Sequence, residues 1–302
     1  MKAMILAAGL GTRLRPLTNF TPKALVPVVN KPMIGRTIEY LKQFGIRQIV
    51  VNAHHHSEKI LKYLDSGRPF GVEIDVRVES RILGTGGGIK NTRDFWDVEP
   101  FVVINSDVLT DINLNGAYEY HKTSKGMATL VLHDCDPFNQ IQIDNDRHIM
   151  DIATKEGPGR LAFTGIHIME PELLSHIPGS GFSDIIDCYR KLLQSGIRIS
   201  AFFVEGHYWR DIGNTESYIL ANKDILEKDK KAFSLGLNTF MCPSVRLSEW
   251  AVIGDHVVLE QGVEIKRSII WDHVRVQKGY RIIDSIVRSG KEVGRNLKGQ
   301  IE

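Results

Sequence analysis

Residues able to do chemistry crowd at the start of the chain. Leu6-Ala7-Ala8-Gly9-Leu10-Gly11-Thr12-Arg13-Leu14-Arg15 runs on to Thr21-Pro22-Lys23-Ala24-Leu25. Glycines that follow an apolar strand let the backbone approach an anion and aim its amides inward. Arg13 offers a planar fork for phosphate oxygens, and Lys23 a compact point charge. No acidic side chain precedes Glu39, whereas Lys2, Arg13, Arg15, Lys23, Lys31 and Arg36 all do, so the opening segment is a local cation field. The expected occupant is anionic. The loop lacks the Lys-Ser/Thr ending of a Walker loop and the third glycine of a dinucleotide fingerprint, which argues against both. Cys135, Cys188 and Cys242 are odd in number and far apart, fitting neither a disulfide framework nor a zinc set. His54-His55-His56 reads as a solvated loop, not a metal site.

These side chains must be held by something regular. Ala3 to Ala8 is a short apolar run, a buried strand that feeds the glycine loop. Pro32 opens a helix with Ile34, Ile38 and Leu41 at helical spacing, closed by Gly45. Strands at Ile49–Val51, Val72–Val78 and Phe101–Ile104 alternate with helices at Glu58–Leu64 and from Gly84 toward Trp96. This alternation predicts an α/β fold, Rossmann-like, with a mixed but mainly parallel sheet and helices on both faces. Ligands in such sheets bind at the carboxyl ends of strands, where both the Gly9 loop and the Asn105-Ser106-Asp107 turn lie. Beyond residue 127, short strands near 129–132, 140–143, 162–168 and 199–204 and a helix near 183–193 read as a mixed insertion over the same rim.

After about residue 245 the rhythm changes to six. Leu247, Ile253, Leu259 and Ile265 recur at that interval, accompanied by Ala251, Val257, Val263 and Ile269. One residue slips, then Ile270, Val276 and Ile282 continue. Two apolar positions per hexad predict a short parallel β-helix, resembling the left-handed hexapeptide coils, of little more than two turns. The expected division is a domain over 1–232 and a tail over 233–302. The tail is expected to serve packing and homo-oligomer assembly, so that deleting residues 245–302 alters assembly more than chemistry.

The opening segment resembles the sugar-1-phosphate nucleotidylyltransferases, whose signature is a strand, G-x-G-T-R, a spacer and Pro-Lys. Gly9, Gly11, Thr12, Arg13, Pro22 and Lys23 stand in place, as does Asn30-Lys31-Pro32-Met33. Companions follow in the family's order over roughly residues 1–225. Glu79 and Gly84-Thr85-Gly86-Gly87-Gly88 resemble the segment against the base, and Asn105-Ser106-Asp107 the metal-binding turn, with serine for the usual glycine. Phe163-Thr164-Gly165 resembles the sugar-binding turn, and Trp209-Arg210-Asp211-Ile212-Gly213-Asn214 the element carrying a second metal-binding aspartate.

The resemblance implies the nucleotide-diphospho-sugar transferase fold and transfer of a nucleoside monophosphate from a nucleoside triphosphate to a sugar 1-phosphate. It implies Mg²⁺ on Asp107 and Asp211, and Arg13 and Lys23 as the catalytic cations. Nucleotide contacts are expected from Leu6, Ala7, Ala8, Gly9, Gly11, Thr12, Arg13, Lys23, Glu79, Gly84 and Thr85, and sugar-phosphate contacts from Asn105, Lys155 and Gly165. A carboxylate can accept from the N1 and N2 donors of guanine together, so Glu79 leans the reading toward GTP with mannose or heptose 1-phosphate. The alternative is uridylyl transfer to N-acetylmuramate 1-phosphate or another hexose 1-phosphate. Two departures bear on the sugar: Thr154-Lys155-Glu156 where many members have Glu-Lys-Pro, and Asn139 where a glycine is common.

Two other classes compete. A non-catalytic nucleotide-sugar sensor would keep the base pocket and lose a charge, yet all four are retained; an acyltransferase tail lacks coils. At 302 residues, 42% hydrophobic and 25% charged, the chain can bury a full core. A formal net charge of +2 gives no case for nucleic acid. No apolar run approaches a membrane span and no signal-peptide pattern opens the chain, so a soluble cytoplasmic protein is expected.

Overall fold

A computed structural model describes residues 1–302. By its contacts the chain divides into two compact units that do not follow sequence order. The first comprises Met1–Leu10, Pro22–Ala24 and Ile34–Asp211, the second Gly11–Thr21, Leu25–Met33 and Ile212–Glu302. The opening signature is thus shared between them.

The first unit is built on a nine-stranded sheet. Its central strand, Ala3–Leu6, pairs in parallel with Gln48–Ala53 on one side and Phe101–Asn105 on the other. All three are almost wholly buried, which explains why their sequences are apolar without alternation. Glu73–Val78 extends the parallel side. Leu161–Met169 joins Phe101–Asn105 antiparallel and itself pairs with Ala128–His133 and Asn139–Ile143. Helices Met33–Gln43, Ser57–Leu64, Gly84–Lys90, Leu114–Ser124 and Ile185–Gln194 supply the crossovers. The helix expected to reach Trp96 stops at Lys90 and yields to a separate 3₁₀ turn, Arg93–Phe95, because Thr92 turns its hydroxyl onto the Ile89 carbonyl at 2.8 Å.

One core cluster gathers Met4, Val50, Phe101, Val103, Leu130, Met169 and Tyr189, all fully buried. His167 lies in the same unit with its imidazole against the Tyr189 hydroxyl, and burial pulls its pKa down to about 3. His133 is pulled to about 4 by burial first and by neighbouring His207 second. Both therefore stay neutral in the folded protein, while the unfolded chain takes up a proton below about pH 6.5. Their contribution is complete above that pH and is lost as the pH falls toward 4 and 3. Each histidine should add up to about 1.4 kcal/mol of lost stability per pH unit in that window. Urea unfolding between pH 7 and 4.5 should show this slope, and His167→Phe should reduce it. An unchanged slope in that variant would refute the assignment.

The second unit carries the helix Thr215–Lys228 and a parallel β-helix. Ile253, Leu259, Ile265, Ile270, Val276 and Ile282 are all fully buried, as the hexads require. The stack is longer than the hexads indicated. It starts at Phe233, which pairs beside Ala251, and runs through Ser268 and Ile286 to a bridge with Ile301. The first coil lies ahead of the hexads that begin at Leu247, and its Phe233, Leu235, Leu237 and Phe240 are exposed at the end of the stack. The later coils shorten: Leu247 pairs with Ile265, Ile265 with Ile282 and Ile282 with Leu297, so the period drifts away from eighteen. No helix is long and apolar enough to cross a membrane.

Candidate active site

Strand register puts the candidate residues of the first unit at one level. Leu6 lies beside Asn52 on one neighbour and Asn105 on the other, all at carboxyl ends. The Ser106 amide donates to the Leu6 carbonyl at 3.0 Å. Ser106 keeps a negative φ, so serine meets no strain where the family has glycine.

Asp107 accepts from the Lys23 ammonium through Oδ2, in a pair whose side chains are only 20% and 14% exposed. The chain then forms a two-stranded ribbon in which Val108–Thr110 runs antiparallel to Trp209–Asp211, with Asp211 directly opposite Val108. Asp107, the turn residue just before Val108, and Asp211, 104 positions on in the numbering, are therefore brought to the same end of the ribbon. Tryptophan secures this arrangement, since Trp209 Nε1 donates to the Thr164 carbonyl at 2.8 Å.

Asn105 and Gly165 are also brought together. The Leu161–Met169 strand shifts register between Phe163 and His167, a bulge in which Gly165 adopts φ +78°. A Cβ at Gly165 would come within 2.8 Å of Asn105 Nδ2. Lys155 is exposed on the loop after Ile149–Ile152, whose following residues line a cavity of about 910 Å³ with Asp134, Asp136 and Asn139. Asn139 acts there as a turn staple. It accepts from the Cys135 amide and donates to the carboxylates of Asp134 and Asp136 at 2.7 and 2.9 Å. The Cys135 thiol is pushed up by burial and by those two carboxylates, which leaves it no activated nucleophile.

The glycine run 84–88 is required by packing. Gly84 has φ +75°, and a Cβ there would meet the Ser183 carbonyl oxygen at 2.5 Å. Gly86 and Gly87 amides both donate to that oxygen, and the Thr85 hydroxyl accepts from the Ile185 amide at 2.9 Å. Thr85 thus holds the 183–185 segment. Gly84→Ala should cost about 2 kcal/mol or more, from left-handed backbone and the overlap together. Denaturant unfolding checks this, and a loss below about 0.5 kcal/mol would contradict it.

Glu79 is only 4% exposed, and both its oxygens are engaged: Oε1 by Asn52 Nδ2 at 2.7 Å, Oε2 by the Leu83 amide at 3.0 Å. The Ala7 amide donates to Asn52 Oδ1 at 2.8 Å. His54 reaches the Glu79 carbonyl at 2.8 Å, giving the first of the three histidines a backbone partner.

In the second unit, Gly11 takes φ +63° before the 3₁₀ turn Thr12–Leu14, which leaves Arg13 exposed. The Thr18 hydroxyl closes the loop on the Gly11 carbonyl at 2.8 Å. Gly9, in the first unit, has open space where a Cβ would stand.

A cluster with no sequence signal lies beside the ribbon. His133 and His207 approach at 3.2 Å, with Trp209 edge-on to His133. Residues 74 positions apart leave no periodic trace that could have joined them.

Known proteins match most of the chain. The nucleotidyl transferase family model matches residues 2–228. A UTP–glucose-1-phosphate uridylyltransferase of Synechocystis is 29% identical, covering 95% of this chain and 87% of the relative. A probable mannose-1-phosphate guanylyltransferase of rice, Oryza sativa, is 30% identical over 98% of this chain and 88% of the relative. Among solved structures, a putative glucose-1-phosphate thymidylyltransferase from Bacillus anthracis superposes with a TM-score of 0.67 at 30% identity, covering 74% of this chain and 94% of that one. HddC from Yersinia pseudotuberculosis, complexed with GMP-PN, does so at 0.63 and 26%, covering 74% and 99%. The chain therefore belongs to the nucleotidyl transferase family and is an enzyme of that class.

Proposed function

We propose that this enzyme transfers a nucleoside monophosphate from a nucleoside triphosphate to a sugar 1-phosphate, releasing pyrophosphate. The observation that carries the reading is the Lys23–Asp107 ion pair at the strand tips, with Asp211 at the same end of the paired ribbon and Asn105 against Gly165. The phosphate oxygen of the sugar 1-phosphate attacks the α-phosphorus, and the bond from that phosphorus to the bridging oxygen breaks. The electron pair leaves on pyrophosphate. The attacking oxygen is already ionised near neutral pH, so no side-chain base or nucleophile is needed; positioning and charge do the work.

Lys23 stabilises charge on the α-phosphate and Arg13 on the departing pyrophosphate. The residues proposed to surround the nucleotide are Leu6, Ala8, Gly9, Gly11, Thr12 and Gly84, with Ala7, Glu79 and Thr85 in support. Asn105, Lys155 and Gly165 are proposed for the sugar phosphate. Two carboxylates from one ribbon end are a fitting donor type for Mg²⁺, a hard cation that takes oxygen ligands and keeps several waters. When bound, the ion would neutralise phosphate charge. Asp107 and Asp211 would hold it.

For the substrates, the reading prefers GTP with mannose or heptose 1-phosphate. It is supported by the rice guanylyltransferase and by the GMP-PN named with HddC. The alternative, uridylyl transfer to a hexose 1-phosphate, is favoured by the Synechocystis relative. The division into a nucleotidyltransferase domain (1–232) and a tail (233–302) is supported by the end of the family match at 228. The tail is proposed to join copies of the chain, which light scattering would detect.

Pyrophosphate release from GTP, UTP, dTTP, CTP and ATP, each against a panel of sugar 1-phosphates, tests the proposal. One pair should exceed the others in kcat/KM and need a divalent ion. No turnover with any pair, together with tight binding of a nucleotide sugar, would replace the enzyme reading by a sensor.

A further inference from the structure

We propose that Glu79 is a positioning residue: with Asn52 it forms a hydrogen-bonded clamp of fixed polarity that sets the backbone around the base, and it does not read the base itself. The inference rests on the nucleotidyl-transfer reading for its effect on substrate.

The polarity follows from the two ends. The Ala7 amide can only donate, so Asn52 must turn Oδ1 toward it, at 2.8 Å. That orientation fixes the amide flip and leaves Nδ2 to donate to Glu79 Oε1, at 2.7 Å. The far end is again an amide, that of Leu83, donating to Oε2 at 3.0 Å. The residue in the middle must therefore accept on both sides, which a carboxylate does and a carboxamide does not. Asn52 is 3% exposed, and Gly88 closes the clamp from above, since a Cβ there would meet Asn52 Nδ2 at 2.6 Å and Glu79 Oε1 at 3.0 Å. Little carboxylate surface is left to meet a ligand. The chain of bonds ties the Ala3–Leu6 strand's glycine loop to the residue before Gly84. Both backbone segments are among those proposed to surround the nucleotide, so the base is read by groups that the clamp places.

This polarity makes a swap possible. In Glu79→Gln, one end must face a donor with a donor, and the clamp breaks. Adding Asn52→Asp restores it. The introduced carboxylate at position 52 accepts from the Ala7 amide and from the carboxamide nitrogen at position 79, whose own oxygen accepts from the Leu83 amide. Charge and size are unchanged overall. The expectation for E79Q alone, and for N52D alone, is a KM for the nucleoside triphosphate raised about tenfold for every base, with kcat and the GTP-to-UTP ratio of kcat/KM within about twofold of the parent. The double variant should return KM to within about threefold. Backbone amide exchange supplies a readout independent of turnover: exchange at Ala7 and Leu83 should quicken at least tenfold in each single variant and slow again in the double.

A tenfold change in the base ratio in E79Q, with no recovery in the double, would make Glu79 a base reader and overturn the clamp. Parental KM and exchange in E79Q would overturn it too. If the parent shows no turnover with any substrate pair, the nucleotidyl-transfer reading fails, while the exchange pattern still decides the clamp.

Discussion

Asp107→Asn lowers turnover by about three orders of magnitude or more and leaves the fold in place. The substitution keeps the side chain's volume and one acceptor oxygen, so the Lys23 ammonium retains a partner. What it removes is the negative charge that a divalent cation would require at the ribbon end. Metal-assisted charge stabilisation supplies several kcal/mol at the transition state, and about 4 kcal/mol corresponds to roughly a thousandfold in rate. The loss should show in turnover at a magnesium concentration that saturates the parent and be partly recovered at much higher magnesium. Thermal unfolding should shift by only a few degrees, because the carboxamide oxygen still accepts from the largely buried Lys23 ammonium and leaves no donor orphaned. Pyrophosphate release with the preferred substrate pair, run beside a melting curve, checks both parts. Full activity in a folded variant would remove Asp107 from the chemistry.

Deleting residues 245–302 costs most of the activity, where the sequence led to the expectation that assembly would change more than chemistry. Within the second unit, the Thr215–Lys228 helix and the tail together hold the signature loop. Val29 and Asn30 both take left-handed backbone, at φ 46° and 60°. The conformation is held by the Val29 amide on Asn222 Oδ1 at 2.8 Å and by Asn30 Nδ2 on the Ile253 carbonyl at 2.7 Å. Fully buried Tyr218 donates to the Pro27 carbonyl at 2.7 Å and accepts from Trp271 Nε1 at 2.9 Å. Truncation removes Ile253 and Trp271 and bares the apolar interior that the coils share. The strained loop then loses its supports, and the segment after Arg13 loses the bond from Arg288 Nη1 to the Pro16 carbonyl at 3.5 Å. The expected result is at least a hundredfold loss in kcat/KM, or an insoluble chain. Because insolubility alone would leave the cause open, Asn30→Ala and Trp271→Phe in the full chain serve as finer probes. Asn30→Ala removes the bonds from Nδ2 to the Ile253 carbonyl and, at 3.4 Å, to Ser234 Oγ, and Trp271→Phe removes the bond to the Tyr218 hydroxyl. At about 1–3 kcal/mol where a buried partner is orphaned, each should cost about tenfold in kcat/KM with the assembly state unchanged. Parental activity in a soluble truncation, or in both point variants, would return the tail to a purely assembling role.

Much of this protein was legible in its sequence, and the legible parts share a cause. Burial on both faces makes Ala3–Leu6, Gln48–Ala53 and Phe101–Asn105 apolar throughout, so strands and helices announce themselves by period. The hexads of the tail obey the same rule, since one side of a coil must hide two aliphatics in every six residues. Strand ends are where parallel sheets bind ligands, which placed the glycine loop and Asp107 on one rim. These are one-dimensional consequences of burial and backbone geometry.

Tertiary pairing decided the rest. Whether the Glu79 carboxylate faced a base or its own protein depended on Asn52, 27 positions away. Whether the tail merely packed or held the signature loop depended on Asn30 and Ile253, separated by 223. The bulge that turns Gly165 toward Asn105 arises from two extra residues opposite Ala128–His133, which a strand's own sequence does not declare. A hydrogen bond between distant residues costs the chain no periodicity and leaves none. Only folding, by bringing one donor to one acceptor, selects which of a polar residue's possible partners it finally meets.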